Sequence, residues 1–187
     1  LVLIKDGASR VLDGPVSFAV NRLYDPALKG APLEEVNAFW TELAQVSGQV
    51  SAATYALDDA VEDVEILYKM LAASATSPGD LESTLHQLRQ ELYVLEEALS
   101  GNQSKGSIGA YDEHRITSWL WHAYGGGSDS TYGPTPAHRQ SLDNAKTSFA
   151  PVRDRLNSIM NEELPAIRRA LNERGAPWGR GQAIPAG

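Results

Sequence analysis

Apolar residues recur along 32–74 at Val36, Trp40, Leu43, Val46, Val50, Ala53, Leu57, Val61, Val64, Leu67 and Leu71, in steps of 4, 3, 3, 4, 3, 4, 4, 3, 3 and 4. The mean step is 3.5 residues, the period of helices that pack lengthwise with a left-handed supercoil. Phe39, Ile66 and Met70 widen the stripe, which suits a bundle with several neighbours. At a rise of about 1.5 Å per residue, this helix would be roughly 60 Å long. Pro32 fits the first turn, where no amide donor is lost, and Glu34 and Glu35 complement the positive end of the helix dipole. Ser47 and Gly48 mark the weak point, because a helical glycine costs about 1 kcal/mol relative to alanine. The pattern leaves open whether the helix continues through Gly48, kinks or breaks there.

A second stripe follows the connection around Pro78 and Gly79. Leu81, Leu85, Leu88, Leu92, Leu95 and Leu99 step by 4, 3, 4, 3 and 4, with Asp80 as the expected N-cap and Gly101 as the left-handed stop. The short connection predicts that this helix runs antiparallel to the end of the first. Residues 102–110 are polar and rich in Gly and Ser, hence a loop. A short helical piece is expected over 112–124, with Ile116, Trp119, Leu120 and Ala123 inward. Gly125, Gly126 and Gly127 begin a connection that is flexible by composition. Thr135 followed by Pro136 is an N-cap and first helical position.

The last helix is expected over 136–174. Its stripe runs Leu142, Ala145, Phe149, Val152, Leu156 and Ile159, then slips to Met160, Leu164, Ile167 and Leu171. Pro151 and Pro165 lie inside it and predict bends, with a break at one of them as the alternative. Gly175 and Pro177 close the helix. Only 1–24 reads as β: Leu1 to Ile4, then Val16 to Leu23, separated by turn residues. The expected fold is therefore mainly α. It is an antiparallel helical bundle of three long helices plus a short one, with a short N-terminal β-hairpin. The expected division is 1–29 as terminal strands and linker, 30–176 as the bundle and 177–187 as a Gly/Pro tail.

Composition narrows the chemistry. The 187-residue chain carries a net charge of −8, which argues against a general binder of nucleic acid or anionic membranes. It has no cysteine, so disulfides, thiolate metal sites and cysteine nucleophiles are excluded. No apolar run approaches the roughly 20 residues needed to cross a bilayer, and membrane insertion is not expected. A start at Leu-Val-Leu-Ile, without Met or a signal-peptide pattern, reads as a fragment of a longer polypeptide.

Candidate chemistry is sparse. A ferritin-like carboxylate site needs paired Glu-x-x-His motifs, and Glu82 and His86 stand four apart instead. Asp58, Asp59, Glu62, Asp63 and Glu65 read as a solvated face, with a loosely held cation as the alternative. No phosphate loop, dinucleotide fingerprint or nucleophile elbow is present, and neither a cofactor nor a structural metal is expected. The most suggestive stretch holds Glu113 and His114 beside Trp119, Trp121, His122 and Tyr124. Aromatic rings beside acid, His and Arg suit a sugar-binding or catalytic cleft. The competing expectation is that Trp119 and Leu120 cap the bundle while Trp121 and His122 face a loop or a neighbouring domain.

Pro134-Thr135-Pro136, Phe149-Ala150-Pro151-Val152, Glu163-Leu164-Pro165-Ala166-Ile167 and Gly175-Ala176-Pro177-Trp178-Gly179-Arg180, with Ile184-Pro185, form a further pattern. It resembles the C-terminal end of large bacterial exported proteins with sortilin-like or sialidase-like β-propeller repeats, often labelled glycosyl hydrolases. Asp25-Pro26 before the long helix fits the family's order of strand, linker and helical domain. The resemblance is specific from about Pro134 onward, and the segment 125–128 and the Trp-rich piece before it depart from it. It implies an exported parent whose binding surface lies on the propeller, so no catalytic residue carries over. The implied role is a non-catalytic scaffold that packs on its own upstream propeller or sandwich domains or self-associates as a homo-oligomer, with Trp121 and Trp178 as interface anchors. The first rival is a carbohydrate-binding module using Trp119, Trp121, Tyr124 and Tyr132. The second is a hydrolase with Glu113 and His114 as acid and base.

Overall fold

A computed structural model describes residues 2–5, 8–11, 14, 17–19, 21, 29–74, 77–110, 115–125 and 132–176. The fold is mainly helical. Helix α1 (Leu33–Ala72) is one continuous rod of 40 residues, so Gly48 neither breaks nor ends it. Its buried seam is Phe39, Leu43, Val46, Val50, Ala53, Leu57, Ala60, Val64, Leu67 and Leu71, in 4–3 alternation, with Met70 also buried beside it. Trp40 and Val61, expected on the seam, lie half-buried at its edge and pack against the core from the side. Helix α2 (Leu81–Ser100) buries all six leucines of its stripe. Asp80 stands at its N-cap without a side-chain capping bond, and Gly101 ends it with φ 82° but an extended ψ of 175°.

The expected loop at 102–110 contains a single short helix, α3 (Gln103–Ser107). It forms because the Asn102 side chain accepts the amides of Ser104 at 3.0 Å and Lys105 at 3.2 Å. Such side-chain capping offers the backbone helical geometry even in a Gly/Ser-rich stretch. Helix α4 (Ile116–Gly125) follows. Arg115, just before it, donates to the Ser100 carbonyl at 2.6 Å and so joins the start of α4 to the open end of α2.

The third rod is α5 (Pro136–Ser158), a π-turn (Ile159–Glu163) and α6 (Leu164–Glu173). Neither proline breaks it. Pro151 lies inside α5, and Pro165 stands in the first turn of α6, just after the π-turn. A π-turn inserts one extra residue. The seam accordingly steps five, from Ile159 to Leu164, both buried, whereas the expected slip lay at Met160, which is half-buried. The rod closes in a Schellman motif. Gly175 at φ 70° donates to Asn172, and Ala176 donates to the Leu171 carbonyl, both at 3.0 Å.

Ion pairs give the rod directions. Glu35 meets Arg139, Glu42 meets Lys146 and Asp63 meets Arg168, at sequence separations of 104, 104 and 105. A constant offset means that α1 runs parallel to the α5–α6 rod. Arg89 of α2 meets Glu65 at 3.5 Å, while Arg174 beyond α6 donates to the Pro78 carbonyl just before α2 at 2.7 Å. Both place α2 antiparallel to its neighbours, as its short connection to α1 predicts. Tyr124 of α4 stacks edge-on against Trp40 near the start of α1. Helix α4 therefore continues below α2, and the chain folds up, down and up around one apolar interior.

The expected N-terminal hairpin between 1–4 and 16–23 is not supported. Strands β1 (Val2–Lys5) and β2 (Ala8–Val11) pair antiparallel over four residues. Ser17, Phe18, Ala19 and Asn21 are outside any strand, with Phe18 exposed. A two-stranded ribbon of this length is marginal in water.

Candidate functional site

Helix α4 positions the aromatic segment. Ile116, Leu120 and Ala123 step by 4 and 3 and are buried, so the residues between them face outward or sideways. Trp121 is 75% exposed and Tyr124 is 55% exposed; three apart on a helix, they share a face. Trp119 is half-buried and packs against the core, as a bundle-capping residue would. Tyr124 also meets Trp40 with ring centroids 5.6 Å apart at 81°, and Trp40 in turn meets Phe39 edge-on at 5.8 Å. Leu33 and Tyr132 are exposed near the same end of the bundle.

The backbone there is drawn tight. Ala31 donates to the Tyr132 carbonyl at 2.7 Å. A Cβ on Gly30 would stand 2.7 Å from that oxygen, and one on Gly133 would stand 2.7 Å from Val36 Cγ2. These contacts tie the segment before α5 to the segment before α1. Neither glycine announces such an approach from sequence, because the partner lies about 100 residues away.

His122 lies beside Ser141, with Nδ1 2.8 Å from the hydroxyl. A Ser–His pair invites comparison with an activated nucleophile. The hydrogen bonding opposes it: Ser141 is 3% exposed and its hydroxyl donates to the Ala137 carbonyl at 2.9 Å. Its single proton is committed, so the oxygen accepts Nδ1–H from His122. The His138 ring is 5.9 Å from that of His122, centroid to centroid. His138 closes a capping box at the start of α5, accepting the Thr135 amide on Nδ1 at 3.0 Å. Thr135 and Pro136 are legible in the sequence as cap and first position. His138 is not, since the familiar box carries Glu or Gln at that place.

The charged surface is structural. Arg155 forms a two-point contact with Glu91, at 2.5 and 2.6 Å, and also engages Glu163. The π-turn brings Glu163 into line eight residues beyond Arg155. This bonding holds the Glu91 carboxyl below its usual range, chiefly through the Arg155 hydrogen bond, and raises Arg155. Lys146 is likewise raised, first by its hydrogen bond to Glu42. In the acidic run of α1, Asp63 and Glu65 bridge to α6 and α2 while Asp58 and Asp59 are exposed. Among the described residues, no group of three or more His, Asp or Glu is arranged to hold a metal ion.

Two adjoining hollows of about 480 and 330 Å³ lie where α1 meets α2 and share Tyr68 and Glu82. The Arg89 guanidinium lies over the Tyr68 ring, 5.2 Å from its centroid, and its Nε is buried without a hydrogen-bond acceptor. His86 and Ser83 line the same hollow. A third hollow of about 310 Å³ lies at the end of α2 beside Tyr93, Glu97 and Asn102. None of the three includes Trp119, Trp121, His122 or Tyr124. Glu113, His114 and Trp178 lie outside the described residues, so the juxtaposition of Glu113 with the aromatic segment stands as a sequence expectation only.

No family model, curated protein or solved structure matches this chain.

Proposed function

We propose that the chain is a helical scaffold and interaction domain whose aromatic end anchors a neighbouring domain, in keeping with the resemblance to the closing region of exported β-propeller proteins. The observation that carries this reading is the division of labour within α4. Three of its residues fill the interior, while Trp121 and Tyr124 present large rings to solvent. Large aromatic side chains with a polar edge are the usual anchors of protein interfaces, because they bury much area at small entropic cost. The seams of the three rods supply rigidity: burial of their apolar area, at about 25 cal/mol per Å², holds the anchor residues in place.

The test has two arms. The reading frame upstream of Leu1 should encode propeller blades; a frame with none removes the parentage. Joined to those upstream domains, the chain should show Trp fluorescence shielded from acrylamide relative to the isolated chain, and Trp121→Phe should abolish most of the difference. Equal quenching in the two forms contradicts anchoring.

A second reading is favoured by the same pair of rings. Trp121 and Tyr124 on one helical face form a platform on which a sugar ring could stack. Calorimetry with oligosaccharides, comparing wild type with Trp121→Ala, separates the two readings: heat lost in the variant supports the glycan platform, and no heat in either ends it.

A further inference from the structure

The geometry points to His138 as a pH-sensitive latch: neutral, it closes the capping box that starts α5, and protonated on Nδ1, it releases the Thr135 amide and loosens the strap at 132–135. The latch follows from which atoms hold protons. The Thr135 amide donates to Nδ1 at 3.0 Å, the Thr135 hydroxyl lies 3.1 Å from the same nitrogen, and the His138 amide donates back to that hydroxyl. An amide can only donate, so Nδ1 must be bare and the neutral ring carries its proton on Nε2. Protonation of Nδ1 turns it from acceptor to donor: the Thr135 amide loses its partner, while the new N–H donates to the Thr135 hydroxyl oxygen 3.1 Å away. It also places a cation at the positive end of the α5 dipole.

His122 is the internal contrast. It donates Nδ1–H to Ser141, and that bond survives protonation because the added proton goes to Nε2. A proton on Nδ1 therefore breaks a bond at one histidine and a proton on Nε2 keeps it at the other, the two rings lying with centroids 5.9 Å apart. The other charged or titratable groups around His138 are occupied or neutral. Arg139 on its own helix is paired with Glu35 of α1 at 3.2 Å. Lys146 is paired with Glu42 of α1. Tyr124 of α4 and Tyr132 of the strap contribute phenols.

The strap itself is the readout. Its carbonyl at Tyr132 accepts from Ala31, and Gly133 packs under Val36. Opening the box frees the segment that joins the starts of α1 and α5 beside the exposed aromatic rings. The inference stands whichever partner those rings meet.

Nuclear magnetic resonance on the intact chain tests it. Long-range ¹H–¹⁵N spectra at neutral pH should show His138 as the Nε2–H tautomer and His122 as the Nδ1–H tautomer. On acidification, followed until the ring signals show His138 charged, the Thr135 amide should shift with the same midpoint as the His138 ring. Its protection from hydrogen exchange, corrected for intrinsic rate, should fall about fivefold, the loss expected for one cap. His138→Gln, which keeps an acceptor that does not titrate, should abolish the Thr135 response, and His122→Gln should retain it. An Nδ1–H tautomer at His138, or an unchanged Thr135 titration in His138→Gln, overturns the latch.

Discussion

Deleting Asn161, an exposed residue of the π-turn, separates two causes of that turn. Pro165 could force it, because a proline ring crowds the carbonyl four residues back. The core could force it instead, because Ile159 and Leu164 are five apart and both must be buried. If the turn tightened into α-helix with the sequence unchanged, each later side chain would rotate by about 100° about the axis. Leu164, Ile167 and Leu171, exposed by 3%, 6% and 0%, would then leave the interior. At about 1.5–3 kcal/mol for each side chain, the loss is roughly 5–9 kcal/mol. The proline conflict in a regular helix is worth about 3 kcal/mol. Burial of the three side chains outweighs the proline conflict, so the core sets the turn.

Pro165→Ala alone should therefore keep the π-turn and move stability by less than about 1 kcal/mol. Removal of Asn161 shortens the step from five residues to four, so the seam fits regular helix but Pro165 now sits within it. The deletion should cost about 3 kcal/mol, and adding Pro165→Ala should recover nearly all of it. Urea unfolding followed by circular dichroism gives the free energies, and ¹³Cα shifts report the turn. Conversion of the turn to regular helix by Pro165→Ala alone, or a combined variant that remains about 5 kcal/mol or more below wild type, would refute this reasoning.

Gly133→Ala meets both a φ of 84° and Val36 Cγ2 at 2.7 Å. It should destabilise by about 1–3 kcal/mol in thermal melts; a neutral result contradicts the close approach. Glu91 has its folded pKa lowered by Arg155, so its contribution is full above the ordinary glutamate range and is lost as pH falls through the folded value. Wild type should accordingly lose more stability than Arg155→Met below about pH 4, by less than about 1 kcal/mol because the pair is partly exposed. Parallel pH curves for the two proteins contradict that. Leu92→Ala, at 0% exposure, should cost about 2–5 kcal/mol in urea unfolding. A smaller loss would mean that the core is not shared by the three rods.

Much of this fold is legible from apolar spacing alone. The six leucines of α2 are the clearest case, because one helix face meets the core and every contact is a strong apolar residue. In α1, spacing favours Trp40 and Val61 over Phe39 and Ala60. The helix touches α2, α4 and the α5–α6 rod, so its buried face is wide, and alanine weighs little in a hydrophobic pattern although it is what lets rods approach. The last helix shows a different limit. A period can register a slip but not the π-turn that absorbs it, so the spacing puts the slip at Met160 instead of at the step to Leu164. The expected hairpin is not supported: of 16–23, the described residues Ser17, Phe18, Ala19 and Asn21 lie outside any strand, and partial alternation alone does not supply a partner for a strand. At the aromatic end, the spacing Ile116, Leu120 and Ala123 sets the phase of α4 and puts Trp119 inward and Trp121 outward, whereas the edge-on contact of Tyr124 with Trp40 needs the fold. The pairs separated by 104 residues, and His138 as a cap, need the fold to bring the partners together.

The parallel course of α1 and the third rod carries the architecture, and the absence of cysteine allows a direct measurement of it. Spin labels on Cys introduced at Glu35 and Arg139, and in a second sample at Asp63 and Arg168, should both give short distances by double electron–electron resonance, as their ion pairs require. A third sample labelled at Glu35 and Arg168 should give a distance of about 40 Å or more, the rise of α1 between positions 35 and 63 at 1.5 Å per residue. A short distance for Glu35 with Arg168, and long ones for the first two pairs, would contradict the bundle.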